Sequence, residues 1–182
     1  MKKHLRIKKI LPAVLATVIA ICLAGCSLFS GNKMTEITLP ATIMDSSGMR
    51  VNSDLTWYIS ENRFETAEWN DDGSLTITMT NKRATEMKEV LEEGLVNSFA
   101  AIRASRDTYF IRSIETSKDY RTVTITADKE AYLTSFELTS YTVGMSIVFF
   151  QAYTGEEPSV DVIVLDTDTG LQIERLHYPL EN

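Results

Sequence analysis

The chain has 182 residues, with 18 basic and 25 acidic side chains and a net charge of −7. Length allows one domain beyond the N-terminal stretch. The first nine residues hold Lys2, Lys3, Arg6, Lys8 and Lys9 and no acid. Without them and the apolar run that follows, 13 basic residues face 25 acidic ones, a net charge of −12. So acidic a domain is repelled by nucleic acid and gains nothing from anionic headgroups, which excludes basic-patch functions.

The apolar run Ile10 to Leu23 follows that basic start. At about fourteen residues it has the length of a secretory h-region and is short of the ~20 that span a bilayer. It ends in Leu23-Ala24-Gly25-Cys26, the pattern of a lipoprotein processing site. Ala24 and Gly25 are small enough to lie extended in a peptidase groove, and Leu23 supplies the apolar group before them. The Cys26 thiol forms the thioether to a diacylglyceryl group. Cys22 is a poor rival because bulky Ile21 precedes it.

Residues 1–25 are therefore expected to be a removed signal peptide, with Leu23, Ala24 and Gly25 its peptidase recognition. Residues 26–34 form the lipidated Cys26 and a short tether, and 35–182 a single extracytoplasmic domain. Covalent diacylglycerol on Cys26 is the only group expected, with no other cofactor and no metal. With Cys22 lost, Cys26 is the sole thiol, so no internal disulfide forms and the domain stands on its core. Ser27 to Met34 spans at most about 27 Å extended, which keeps the domain beside its membrane.

Thr35 to Leu39 alternates and stops at Pro40, which reads as a short edge strand. Ala41 to Arg50 reads as a loop around Asp45-Ser46-Ser47-Gly48. Ser53 to Ile59 fits a strand through Leu55, Trp57 and Ile59. It fits better as a short helix capped by Ser53, with Leu55, Tyr58 and Ile59 inward. Phe64 to Trp69, the turn Asn70-Asp71-Asp72-Gly73 and Leu75 to Thr80 read as a hairpin. Thr80 then caps a helix from about Asn81 to about Ser105, through Ala84, Met87, Leu91, Leu95, Phe99 and Ile102.

A similar arrangement follows: strand Tyr109 to Thr116, turn Ser117-Lys118-Asp119, and strand Thr122 to Ala127. Asp128 opens an expected single helix through Tyr132, Phe136, Thr139, Val143, Ile147 and Phe150 to about Tyr153. Gly144 in it is small enough to admit another element. The apolar stretch 143–150 is expected to be core, or else one wall of a ligand cleft. Val160 to Val164, the turn Asp166-Thr167-Asp168-Thr169-Gly170, and Leu171 to Leu176 close the chain as a third hairpin. The fold class expected is α+β, a mainly antiparallel sheet of β-hairpins alternating with two long amphipathic helices packed on one face.

The inventory for catalysis is thin. His4 lies in the leader and His177 near the end of the last strand, where a lone histidine is an edge residue. Metal-ligand spacing and a Gly-x-Ser-x-Gly turn are missing. Asp166-x-Asp168-x-Gly170 lacks the later ligands of a calcium loop, and Asp and Gly are what tight turns require. Trp57, Tyr58 and Trp69 suit stacking on a sugar or peptide, and equally suit core positions.

Taken together, several stretches resemble uncharacterised small lipoproteins of Gram-positive bacteria. They are Leu23-Ala24-Gly25-Cys26, Glu36-Ile37-Thr38-Leu39-Pro40, Asn70-Asp71-Asp72-Gly73-Ser74, Ala127-Asp128-Lys129-Glu130-Ala131-Tyr132 and Asp166-Thr167-Asp168-Thr169-Gly170. The likeness covers nearly all of 35–182, least in Ala41 to Arg63. It implies one α+β domain on a lipid anchor and brings no catalytic or binding residue with it. The function expected is a membrane-anchored, non-catalytic binding or accessory domain of the envelope. Its partners are the membrane, through the lipid, and a protein, peptide or glycan, with no nucleic acid and a monomeric chain. The alternatives are a wall- or glycan-acting enzyme using two carboxylates, and an envelope protein without a ligand.

Overall fold

Threonine and apolar residues alternate in Leu75–Thr80 (β3), and all three apolar side chains, Leu75, Ile77 and Met79, are fully buried. The backbone edges of a strand buried this deeply are paired as well. Met34–Leu39 (β1) pairs on one side and Thr66–Trp69 (β2) on the other, both antiparallel, in the order β1-β3-β2. The computed structural model describes residues 33–48, 51, 53–135 and 138–179. The leader, Cys26 and most of the tether lie outside them, as does Phe136. Among the described residues, no helix is long and apolar enough to cross a membrane.

Ile111–Thr116 (β4), Thr122–Ala127 (β5), Val160–Asp166 (β6) and Gln172–Tyr178 (β7) form a second sheet in chain order. The α+β class holds, but the strands divide between two sheets. All strand pairs are antiparallel save one: β5 and β6 run parallel, Val123 beside Val162 and Ile125 beside Val164. A parallel pair needs a long crossover, and the connection from Asp128 to Ser159 supplies it. The central strands β5 and β6 bury Val123, Ile125, Val160, Val162 and Val164 completely.

Five helices occupy the described residues: Ala41–Ser46 (α1), Thr56–Asn62 (α2), Asn81–Ala104 (α3), Lys129–Thr134 (α4) and Thr139–Tyr153 (α5). Helix α1 stands where a loop was expected. Pro40 fixes φ at −57°, its carbonyl accepts from Ile43 and Met44 at 3.0 and 3.1 Å, and both side chains are buried. The loop residues Asp45 to Gly48 mark only its end. Helix α2 confirms the helical reading with Tyr58 inward. Its N-cap is Leu55, without a side-chain cap, so Ser53 does not cap it; the amide of Thr56 bonds Asp54 Oδ1 at 2.9 Å.

Helix α3 matches its expected extent, with Thr80 Oγ1 accepting from Arg83 N at 3.1 Å. The helix expected from Asp128 to Tyr153 is instead two. Asp128 Oδ1 accepts from Ala131 N at 2.9 Å, as a cap should. At the other end Thr134 Oγ1 bonds the Glu130 carbonyl and Ser135 Oγ the Tyr132 carbonyl, both at 2.8 Å. Ser135 N still bonds Ala131 O at 3.0 Å, and Ser135 itself turns extended, with ψ 138°.

Helix α5 is not amphipathic. Thr139, Ser140, Val143, Gly144, Ile147, Val148, Phe150, Gln151 and Ala152 are all buried. It packs on β6 and β7, on β1 of the other sheet, and on α3, so it fills the space between the sheets. Full burial of each Val, Ile or Phe there contributes about 1.5–3 kcal/mol. The apolar stretch 143–150 is thus core. Gly155, with φ +77°, ends the helix in a left-handed turn: its amide bonds Ala152 O at 3.1 Å and that of Glu156 bonds Gln151 O at 2.9 Å.

Candidate binding cleft

Strand β7 carries a bulge. Val164 faces Glu174 but Leu165 faces Gln172, so Ile173 is the extra residue. A one-residue insertion shifts the alternation by one position. Beyond it Glu174, Leu176 and Tyr178 pair with Val164, Val162 and Val160, whose side chains are buried. A carboxylate therefore sits on the inner face of an edge strand, beside the break between α4 and α5.

There a cleft of about 300 Å³ opens. Tyr132, Leu133 and Ser135 line it from the α4 side, Leu138, Ser140 and Tyr141 from α5, and Glu174, Leu176 and Tyr178 from β7. The Tyr132 hydroxyl donates to Glu174 Oε2 and lies 2.7 Å from Ser140 Oγ. Ser140 Oγ is 3.4 Å from the same carboxylate oxygen. The rings of Tyr141 and Tyr178 meet edge to face, with centroids 6.0 Å apart at 70°. Burial first, then the negative charge of Glu174, pushes the Tyr178 phenol up from its ordinary value. Leu133, Leu138 and Tyr141 are 62%, 64% and 46% exposed, an apolar rim around a polar centre.

The residues singled out by sequence lie elsewhere. Asp166 is a turn residue: Oδ2 accepts from Thr169 Oγ1 at 2.5 Å, and the hydroxyl bond is the main reason its carboxyl lies below the usual range. Asp72 likewise accepts from Ser74 N at 2.9 Å and Ser74 Oγ at 2.6 Å. Among the described residues no group of three His, Cys, Asp or Glu side chains is placed to hold a metal. Tyr58 is core, its hydroxyl bonded to Tyr153 OH at 3.0 Å, and Trp69 Nε1 donates to Ser53 O at 3.4 Å. Trp57 is 70% exposed on α2. Leu23, Ala24, Gly25 and Cys26 lie outside the described residues.

His177 sits on exposed β7 with Nδ1 3.0 Å from Asp161 Oδ1, while Arg175 Nη2 donates to Asp161 Oδ2 at 2.7 Å. The Arg175 bond first, and His177 second, hold the Asp161 carboxyl below the usual carboxylate range. A carboxyl with a depressed folded-state pKa contributes stability above its unfolded value, about 3.9, and loses it as pH falls through the folded value. The melting temperature is therefore expected to hold from pH 7 to about 5 and drop below about 4. The double variant Asp161→Asn, Asp166→Asn should show a shallower acid limb. An unchanged limb in thermal melts would contradict this assignment.

Comparison with known proteins finds no matching family model, no matching curated protein and no matching solved structure. The cleft's chemistry must therefore be read from its own residues. Sequence reasoning missed Tyr132, Ser140, Tyr141, Glu174 and Tyr178. One signal was present: Glu174, Leu176 and Tyr178 share a strand phase, which puts a charge in line with two apolar groups.

Proposed function

We propose that this chain is a membrane-anchored extracytoplasmic lipoprotein whose α+β domain binds a partner of the cell envelope without catalysis. The cleft between α4, α5 and β7 is its binding site, for a group borne on a protein, peptide or glycan. What carries the binding reading is the makeup of the cleft: one carboxylate engaged by two hydroxyls, set among aromatic and leucine side chains. Acid–base work on a glycan uses two facing carboxylates, whereas stacking surfaces with a few oriented polar groups suit recognition. The resemblance to small Gram-positive lipoproteins and the sequence Leu23-Ala24-Gly25-Cys26 support the address.

The address and the cleft are tested separately. Cys26→Ala should abolish incorporation of labelled palmitate and release the protein from the membrane fraction. Palmitate label retained in this variant would overturn the anchor. For the cleft, the lipidated chain in detergent micelles is titrated with short peptides and with glycan fragments under NMR observation. Shifts are expected first at Tyr141, Leu133 and Leu138. Binding that shifts residues elsewhere and leaves these unmoved would overturn the site.

A further inference from the structure

Charge in the cleft is one-sided. Among the described residues that line it, Glu174 is the only charged one, in a chain whose acids outnumber its bases. Its Oε2 is oriented by Tyr132 and Ser140. A carboxylate has about four acceptor sites, so two hydroxyls on one oxygen leave capacity for a further donor. An anion would meet like charge here. A neutral donor would gain a charge-assisted hydrogen bond but not the added Coulomb attraction that a cation gains.

The aromatic groups point the same way. Tyr141 and Tyr178 stand at 70° to one another, 6.0 Å between centroids, and form a corner. Aromatic ring faces carry the negative end of the ring quadrupole and attract cations within about 6 Å. Half-exposed Tyr141 presents a ring at the cleft mouth, and Tyr178 closes its base. Leu133, Leu138 and Leu176 then offer apolar surface beside the charge, where an alkyl stem packs with its head on the carboxylate. About 300 Å³ is at the small end of ligand clefts, the scale of one side chain or small amine.

We infer that this cleft binds an organic cation, an ammonium or guanidinium group on an apolar stem, with Glu174 as counter-ion and Tyr141 as aromatic wall. The inference rests on the reading of the cleft as a binding site and names the chemistry it takes. Such a cation comes from a lysine or arginine side chain of a polypeptide, or from a free quaternary amine. All of them carry a positive head beside methylene or methyl groups, compact in lysine, delocalised in arginine and methyl-covered in a quaternary amine.

The test is a titration of the lipidated chain in detergent micelles, followed by NMR at Tyr141, Leu133 and Leu138, the two leucines serving as reporters in the Tyr141 variant. The probes are N-acetyl-lysine amide, N-acetyl-arginine amide, tetramethylammonium and N-acetyl-norleucine amide, the last a neutral match for lysine. The cations are expected to bind at least about ten-fold tighter than norleucine, a gap of about 1.4 kcal/mol, and to weaken with added salt. Glu174→Gln should remove both the gap and the salt dependence. Tyr141→Leu, an exposed substitution, should weaken the cations several-fold, and it keeps the test decisive if Glu174→Gln melts early. Tighter binding of the amino-acid amides assigns a polypeptide source and tighter tetramethylammonium binding a free amine; either supports the inference. Binding of all three cations no tighter than that of the norleucine amide, or full cation affinity in Glu174→Gln, overturns it. A neutral peptide or glycan that shifts Tyr141 when no cation does overturns the cation and leaves the binding site standing. No shift with any probe overturns both.

Discussion

Gly144→Ala is expected to lower the unfolding free energy by about 2–3 kcal/mol, the upper range for forcing one extra carbon into a packed core. Gly144 is fully enclosed in α5, and a Cβ built on it would lie 2.4 Å from Tyr178 Cδ2 and 2.7 Å from Cε2. Alanine is otherwise the better helix former by about 1 kcal/mol, so propensity alone predicts the opposite sign. Sterics wins because the clash is with a ring whose residue is 2% exposed and which has little room to swing away. Thermal and denaturant melts of Gly144→Ala, Tyr178→Leu and the double variant decide the matter. The double variant should be more stable than the two single losses added together, since the leucine withdraws the atoms that collide. Strict additivity, or a stabilised Gly144→Ala, would show that the contact is not limiting.

Gln151→Leu is expected to cost about 3 kcal/mol, although the side chain is fully buried and leucine is close in size. Gln151 Nε2 donates to Tyr120 O at 3.1 Å and Ser159 O at 3.0 Å, and its Oε1 accepts from Ser159 N at 2.8 Å. One amide thus ties α5 to the turn before β5 and to the residue before β6. The leucine removes these bonds from Tyr120 O and Ser159 N, at about 1–3 kcal/mol for each group left unsatisfied, while Ser159 O keeps a long contact of 3.5 Å from Arg121 Nη1. Gln151→Glu should be worse, because it keeps the acceptor but sets a charge against two carbonyl oxygens in a dry site. Denaturant melts of the two variants give the order. A neutral Gln151→Leu would mean that water reaches these groups and that the amide is dispensable.

Both predictions concern side chains whose importance no local pattern shows. Gly144 reads in sequence as a small residue that admits a neighbour, which is what it does, but the identity of that neighbour depends on the register of β7. Gln151 reads as a polar interruption in an apolar helix. Its role exists only because the turn ending in Tyr120 and the strand start at Ser159 converge on it. The break between Thr134 and Thr139 belongs to the same class. A run of apolar residues at helical spacing continues across it, and local periodicity gives no sign that Ser135 turns extended.

The candidate cleft was legible in one respect. Glu174 shares the strand phase of Leu176 and Tyr178, so a charge on an inward face was visible once the phase was known. The phase itself was not, because the bulge at Ile173 resets it, and reading inward from Leu171 and Ile173 places Glu174 on the wrong side. Tyr132, Ser140 and Tyr141 look ordinary in sequence. They become a site only because the helix breaks beside that strand.

What the sequence determines by itself is whatever rests on neighbours along the chain. The three hairpins, the caps at Thr80 and Asp128, the extent of α3 and the alternation of β3 and β5 all depend on contacts a few residues apart. The motif Leu23-Ala24-Gly25-Cys26 is likewise a short local pattern, and the address we propose rests on it. Only the tertiary structure decided that the hairpins divide into two sheets and that β5 and β6 run parallel. It also placed α5 between the sheets instead of on one face of a single sheet. Those choices depend on which apolar faces meet, and every amphipathic face in the chain offers much the same chemistry to every other. Local periodicity says that a face must be covered; the packing of the whole chain decides what covers it.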